Sequence, residues 1–340
     1  MIEKTTTLKS YCNVMAIERG LDPVGHAHDF DDALVVETPL PWKTNLYEKA
    51  GILPEEAINL LNLWLQRYHE GVSYRHRSLM IAPDAVYSRQ GWRRVMFYQR
   101  TPGAIAHFDK VEYLVTEKDC GPLLWALYEA RETLPQFEQY RVPENEAIRD
   151  LMVCTHGTVD AACAKFGYPL YNYLRRNHAS DSLRVWRVSH FGGHVFAPTL
   201  VDMPSAHYWA YVEQAQADAI VCRDAAVESL RGHYRGWAGL EDGFLQAAER
   251  EMWQREGWRW FDYVKSGQVL GTDADHTAEP QWAEVRVRYS TPDNTEAGIY
   301  EARVEIQRSV ETIHTTGEAD TYPYPQYVVT RLERKPLDIE

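Results

Sequence analysis

Two cysteines and two histidines have the types and spacing suited to binding a metal. Cys154 and Cys163 are separated by eight residues, and His190 and His194 are separated by three. Thiolates and imidazoles are the usual protein ligands of zinc and of the iron atoms in iron–sulfur clusters. The sequence therefore predicts a metal or cluster site built from these four side chains.

Two kinds of metal centre fit this set of ligands. A tetrahedral zinc ion accepts two cysteines and two histidines, which would make the protein a zinc-stabilised binding module without redox activity. In a [2Fe-2S] cluster of the Rieske type, two cysteines hold one iron and two histidines hold the other. Paired cysteines of structural zinc sites are typically only two to four residues apart, so the gap between Cys154 and Cys163 favours the cluster without excluding zinc. A thiol–disulfide enzyme is a weaker alternative, because the Cys-x-x-Cys spacing is missing.

Four neighbouring residues are candidates for a supporting role around the ligands. Gly192 and Gly193 separate the two histidines, together with Phe191, and can adopt the positive φ angles that let the backbone approach a bulky inorganic group. His156 and Gly157 follow Cys154 and are predicted to form the turn before a helix. The alternative interpretation is that His156 is a further donor to the metal.

The same stretch resembles the sucrase/ferredoxin-like family. The family pattern Cys-x-His-Gly-x-x-Asp is present at 154–160, and Ser-His-x-Gly-Gly-His-x-Phe-Ala-x-Thr-Leu is present at 189–200. Upstream matches at 11–12, 22–27 and 37–42 extend the resemblance to roughly residues 12–230, with departures at His26 and at Ser205-Ala206. We find no pair of carboxylates in a recognisable glycosidase context, so the word sucrase in the family name does not lead us to expect glycoside hydrolysis.

The resemblance implies a thioredoxin-like ferredoxin domain that carries one [2Fe-2S] cluster. It implies that the cluster ligands are Cys154, Cys163, His190 and His194. It also favours an electron carrier over a protein that acts as an enzyme by itself. It also implies redox partner proteins, which the sequence does not identify.

Composition and charge narrow the remaining possibilities. The 340 residues contain 36 Lys and Arg against 49 Asp and Glu, a net charge of −13 that disfavours nucleic-acid binding. No apolar run is long enough for a membrane span, and the first residues lack the features of a signal peptide.

Five cysteines form an odd and sparse set, which predicts a reducing, cytoplasmic location. Outside the candidate site, Cys12, Cys120 and Cys222 are predicted to pack as small apolar side chains. His26, His28 and Asp29 are interpreted as a polar loop.

The pattern of elements predicts an α/β protein with two tandem thioredoxin-like units of order β-α-β-β-β-α and a C-terminal α+β appendage. The predicted boundaries are 1–146 for a unit without a cluster, 147–231 for the cluster unit and 232–340 for the appendage. Around the ligands we expect strands at 150–154, 184–188, 195–203 and 208–212, and helices at 159–175 and 213–231.

Overall fold

The structure is a computed structural model that describes residues 11–45, 52–72, 75–273 and 279–336. The α-helices are α1 (Cys12–Glu18), α2 (Glu55–His69), α3 (Glu117–Tyr128), α4 (Ala161–Asn177), α5 (Gln214–Cys222) and α6 (Gly243–Glu256). The first nine strands are β1 (Asp32–Glu37), β2 (His76–Ile81), β3 (Trp92–Gln99), β4 (Asp109–Thr116), β5 (Arg149–Cys154), β6 (Leu183–Val188), β7 (Leu200–Met203), β8 (His207–Trp209) and β9 (Tyr234–Trp237). The last four are β10 (Val264–Thr272), β11 (Trp282–Ser290), β12 (Ala297–Ile313) and β13 (Thr321–Pro336).

Strands β1 to β9 form one sheet in which a pattern of pairing occurs twice. The strand order is β4-β3-β1-β2-β6-β5-β7-β8-β9. In the first half β1 runs parallel to β2 and antiparallel to β3, and in the second half β5 runs parallel to β6 and antiparallel to β7. The halves meet where β2 pairs antiparallel with β6 at Ile81 and Val188. Element order and strand order therefore repeat together, which is an α/β arrangement as the sequence predicts.

A buried ionic network links the two halves. Lys110 on β4 donates to Asp150 on β5 at 2.5 Å, and Arg184 on β6 donates to both Asp150 (2.9 Å) and Glu112 (2.6 Å). The side chains of these four residues are almost fully buried. A buried charge needs such partners, because an uncompensated one is strongly destabilising. The network therefore fixes the strands that precede the candidate ligands.

The C-terminal part adds a second sheet that also packs against the first. Strands β10 to β13 form an antiparallel sheet, and α6 packs against β9 of the large sheet and against β11, β12 and β13 of the small one. The tip of the β12–β13 hairpin reaches the region of α1 and the start of α4. The predicted domain boundaries at 146 and 231 stay a prediction, although the strands on either side of both boundaries belong to one sheet.

Three elements near the ligands differ from the sequence-based expectation. The strand expected at 208–212 is His207–Trp209, and it ends before Tyr211, whose φ angle is +51°. The strand expected at 195–203 is wrong at its start, because a 3-10 turn (His194–Phe196) precedes the strand Leu200–Met203. The helix expected at 213–231 ends at Cys222, where Arg223 takes the left-handed conformation, and a 3-10 segment follows. The spacing of apolar residues in these segments resembles that of a regular strand or helix. Pro198 and the left-handed Arg223 nevertheless interrupt the regular backbone hydrogen bonding.

Candidate metal centre

Cys154 and Cys163 are brought together by the close packing of α4 on β5. Cys154 is the last residue of β5, and Cys163 is the third residue of α4, whose N-cap is Asp160. A side chain at Gly167 would place its Cβ 2.0 Å from the carbonyl oxygen of Cys154. Only glycine lets the helix approach the end of the strand this closely.

The histidines lie on a loop that is held at its base. Ser189 bonds to Met80 on the neighbouring strand in both directions, through its amide (2.8 Å) and its hydroxyl (2.9 Å). Gly192 and Gly193 then adopt φ angles of +91° and +76°, which reverse the direction of the chain. The side chains of His190 and His194 therefore lie on the same side of the loop. The ring centroids of His190 and His194 are 5.3 Å apart.

His156 fixes the backbone of this loop. The amide of His190 donates to Nδ1 of His156 at 3.2 Å, and Nε2 of His156 lies 2.9 Å from the carbonyl oxygen of Lys43. Both ring nitrogens are thus engaged with backbone groups, and His156 is in neither of the groups of possible metal ligands found in the described residues. Its geometry is that of a positioning residue for His190.

Three of the four predicted ligands form one compact group. Nδ1 of His190 lies 3.8 Å from Sγ of Cys154 and 3.7 Å from Sγ of Cys163. The three donor atoms lie within 4.8 Å of one another, and both cysteines are buried. This is the spacing that a shared metal requires of soft and borderline donors.

His194 belongs to an adjoining second group. Its Nδ1 lies 3.6 Å from Sγ of Cys12 and 3.4 Å from a carboxylate oxygen of Asp160. These three donors also lie within 4.8 Å of one another, and all three residues are buried. Because Nδ1 faces Cys12 and Asp160, Nε2 is the nitrogen of His194 that is left for a metal.

The electrostatics of the site favour one thiolate and neutral imidazole. Burial opposes ionisation of Cys154, but hydrogen bonding from Cys163 and contact with His190 outweigh it and hold the pKa of Cys154 well below its ordinary value. The pKa of Cys163 is raised by that same hydrogen bond and by burial. Burial lowers the pKa of His194 to about 4, opposed by Asp160 and assisted by His190 and His314, so the ring is neutral at pH 7. Thiolate and neutral imidazole are the forms that bind metals.

The hairpin tip between β12 and β13 closes the side of the site formed by His194. The Thr316 amide and hydroxyl donate to the two carboxylate oxygens of Asp160 at 2.8 and 2.7 Å. The ring centroid of His314 lies 4.7 Å from that of His194, and Nδ1 of His314 is 2.6 Å from the hydroxyl of Tyr324. The C-terminal part of the chain thus contributes side chains to the surroundings of the candidate metal centre.

Comparison with protein families identifies the chain. Residues 23–236, well over half of the sequence, match the model of the family described as sucrase/ferredoxin-like. The chain belongs to the sucrase/ferredoxin-like family. This family match contains Cys154, Cys163, His190 and His194 but leaves out Cys12 and the hairpin tip. A search of curated proteins and a search of solved structures each found no match.

Sequence reasoning did not predict the contacts of Cys12, Asp160 and Thr316 with the site. Asp160 was recognisable as part of the motif at 154–160 and as a helix cap, and both roles are compatible with its contact with His194. Cys12 packs among apolar side chains, yet its sulfur also contacts His194. Thr316 lies 304 residues from Cys12, so no local pattern signals their contact.

A further finding concerns the membrane. Among the residues that the structure describes, no helix has the length and apolar character needed to cross a bilayer.

The ring of His28 packs against the loop that carries the two histidines. A Cβ at Gly192 would lie 2.0 Å from Nε2 of His28.

Proposed function

We propose that the protein is an electron carrier that binds one [2Fe-2S] cluster through Cys154, Cys163, His190 and His194. The observation that supports this most strongly is the distribution of the donors over two adjoining groups, one with Cys154, Cys163 and His190 and the other with His194. A two-iron cluster is larger than a single ion and takes ligands from a wider area. When bound, the cluster supplies one-electron redox chemistry.

The side chains of this chain perform supporting tasks around such a cluster. The cysteine pair offers one ionised sulfur and one proton that leaves on metal binding. Asp160 and Cys12 orient the ring of His194, and His156 fixes the backbone at His190. His194 is buried whereas His190 is partly exposed, so His190 is the ligand on the side open to a redox partner.

We further propose that both halves of the large sheet are thioredoxin-like units and that only the second holds a cluster. Their repeated strand order supports this assignment. In the first half, Glu37 and Thr38 stand at the end of β1, where Cys154 stands at the end of β5. Within the described residues, both groups of possible metal ligands lie at the site of the second half. The redox partners and a cytoplasmic location belong to this proposal.

A zinc site is the alternative that a specific observation favours. Cys154, Cys163 and His190 form a compact set of three ligands, which would hold zinc with His194 as the fourth ligand. Such a protein would be a zinc-stabilised binding module without redox activity.

Metal and sulfide analysis of the anaerobically purified full chain separates these possibilities. We expect two irons and two acid-labile sulfides per chain, with visible absorption and a paramagnetic signal after one-electron reduction. One zinc per chain in a colourless protein would overturn the proposed function. Four irons per chain would contradict the assignment of a single cluster.

A further inference from the structure

Arg235 is a buried cation beside the loop that carries the two histidines. It lies on β9, outside the segments that contain the four ligands, and only 1% of its surface is exposed. Its guanidinium packs between the rings of Phe196 and Tyr208, at 4.8 and 5.5 Å from their centroids. Such a position removes the charge from water on most sides.

The guanidinium is directed at the ligand loop. Nη1 donates to the carbonyl oxygen of Gly192 at 3.3 Å, and Nη2 donates to the carbonyl oxygen of His26 at 2.6 Å. A Cβ at Gly193 would lie 2.5 Å from Nη2, so the loop and the guanidinium are in close contact. Nε is buried without a hydrogen-bond partner.

The charge of Arg235 is not paired with a carboxylate among the described residues. By contrast, each of the other buried arginines of the described residues forms an ion pair with a carboxylate: Arg94, Arg184 and Arg250. Burial, assisted by the neighbouring cation Arg77, lowers the pKa of Arg235 to about 10, whereas Tyr208, Tyr211 and the thiolate of Cys154 act in the opposite direction. At pH 7 the guanidinium is therefore a charged group whose compensation is incomplete.

We propose that Arg235 is a positioning residue that holds the histidine loop and raises the reduction potential of the cluster. This inference rests on the proposed function. With two thiolates and two neutral imidazoles, a [2Fe-2S] cluster is formally neutral when oxidised and carries one negative charge when reduced. The electron that arrives is stabilised by the buried cation, since net charge and hydrogen bonding near a cluster set its potential.

The test compares the midpoint potentials of the full-length holoprotein and its variants. Arg235→Met and Arg235→Gln remove the charge, and Arg235→Lys keeps it. We expect both neutral variants to retain two irons per chain and to be at least tenfold harder to reduce, which is about 59 mV for one electron. Arg235→Lys should lie closer to the unaltered protein.

Arg100→Met is the matched control. Arg100 also caps a carbonyl oxygen, that of Gly239 at 2.7 Å, but does not contact the ligand loop. Neutral Arg235 variants whose potential falls no further than that of Arg100→Met would overturn the inference while leaving the proposed function intact. If neither neutral variant folds, Arg235→Lys carries the test: a folded Arg235→Lys holoprotein that is tenfold or more harder to reduce than the unaltered protein, although it keeps the charge, would also overturn the inference. An unaltered protein without iron would instead remove the proposed function, and this inference with it.

Discussion

A carboxylate oxygen of Asp160 lies 3.4 Å from Nδ1 of His194. Asp160 also caps α4, where it accepts a hydrogen bond from the Ala162 amide at 2.7 Å. One side chain therefore connects the helix that carries Cys163 with the loop that carries His194. A carboxylate beside a ligating histidine fixes the ring and makes the nitrogen on its other side a better donor.

The variant Asp160→Asn should weaken metal retention without unfolding α4. Asparagine is as good an N-cap as aspartate, but it lacks the charge that faces His194. We expect about 10- to 100-fold weaker retention, the usual effect of removing such a partner. The measurement is iron transfer to a chelator. Asp242→Asn, at the N-cap of α6, is the control and should release iron like the unaltered protein; equal release from both variants would contradict a role for Asp160.

Replacing Cys154 or Cys163 with serine should abolish the visible absorption of the purified protein. A hydroxyl is a far poorer ligand for iron than a thiolate. Cys222→Ser is the control, because Cys222 is exposed and belongs to neither group of donors. Cys12→Ala should also stay coloured, because Cys12 contacts His194 without being a proposed ligand. A folded but colourless Cys222→Ser would show that the ligand assignment is wrong.

Thiol reactivity should separate the exposed cysteine from two of the buried ones. Burial raises the pKa of Cys12 and of Cys120 to about 12, so that only about one in 10⁴ of these thiols is ionised at pH 8. Iodoacetamide at pH 8 should therefore label Cys222 before Cys12 and Cys120, which mass spectrometry of the digested protein detects. Labelling of Cys12 at the rate of Cys222 would indicate that the α1 region opens readily.

Acid should destabilise the protein through His26. Burial lowers its pKa to about 4, assisted by Arg235, and its ring lies among Phe196, Tyr324 and Tyr327. A histidine whose folded pKa lies below the ordinary value of about 6.5 takes up its proton first in the unfolded state. Stability is therefore lost as the pH falls from about 6.5 to about 4.

The loss attributable to His26 is about 2 kcal/mol between pH 7 and pH 4.5. Urea unfolding of the metal-free protein at both pH values should show a smaller difference for His26→Gln than for the parent. His69→Gln, on the exposed end of α2, should behave like the parent. An unchanged difference for His26→Gln would mean that the ring is accessible to protons in the folded state.

Local patterns in the sequence were sufficient for much of the fold around the ligands. The strand expected at 150–154 is present as Arg149–Cys154, and the helix expected at 159–175 is present as Ala161–Asn177. Alternating or helical apolar spacing over a full element gives this information. The family was also predicted correctly, since its motifs at 154–160 and 189–200 are local.

Contacts between distant segments could not be predicted in this way. The pairing of β2 with β6 depends on how two units meet, and neither strand encodes its partner. The same holds for Arg235, which contacts His26, Tyr208 and the loop at 192–196 and forms no ion pair with a carboxylate of the described residues. Apolar periodicity reports which face of an element is buried, but not which other element covers it.

The contact between Cys12, Asp160 and Thr316 has a consequence for the biosynthesis of the protein. The Thr316 hydroxyl donates to Asp160 and lies 3.4 Å from the sulfur of Cys12, so the wall beside His194 contains residues from both ends of the described chain. A ribosome that has translated the ligand segments has not yet released this wall. The side of the site formed by His194 is therefore uncovered until residue 316 has emerged. A cofactor that enters from that side would meet no hairpin in a late nascent chain, whereas in the finished chain it would enter from the side of His190, which is partly exposed.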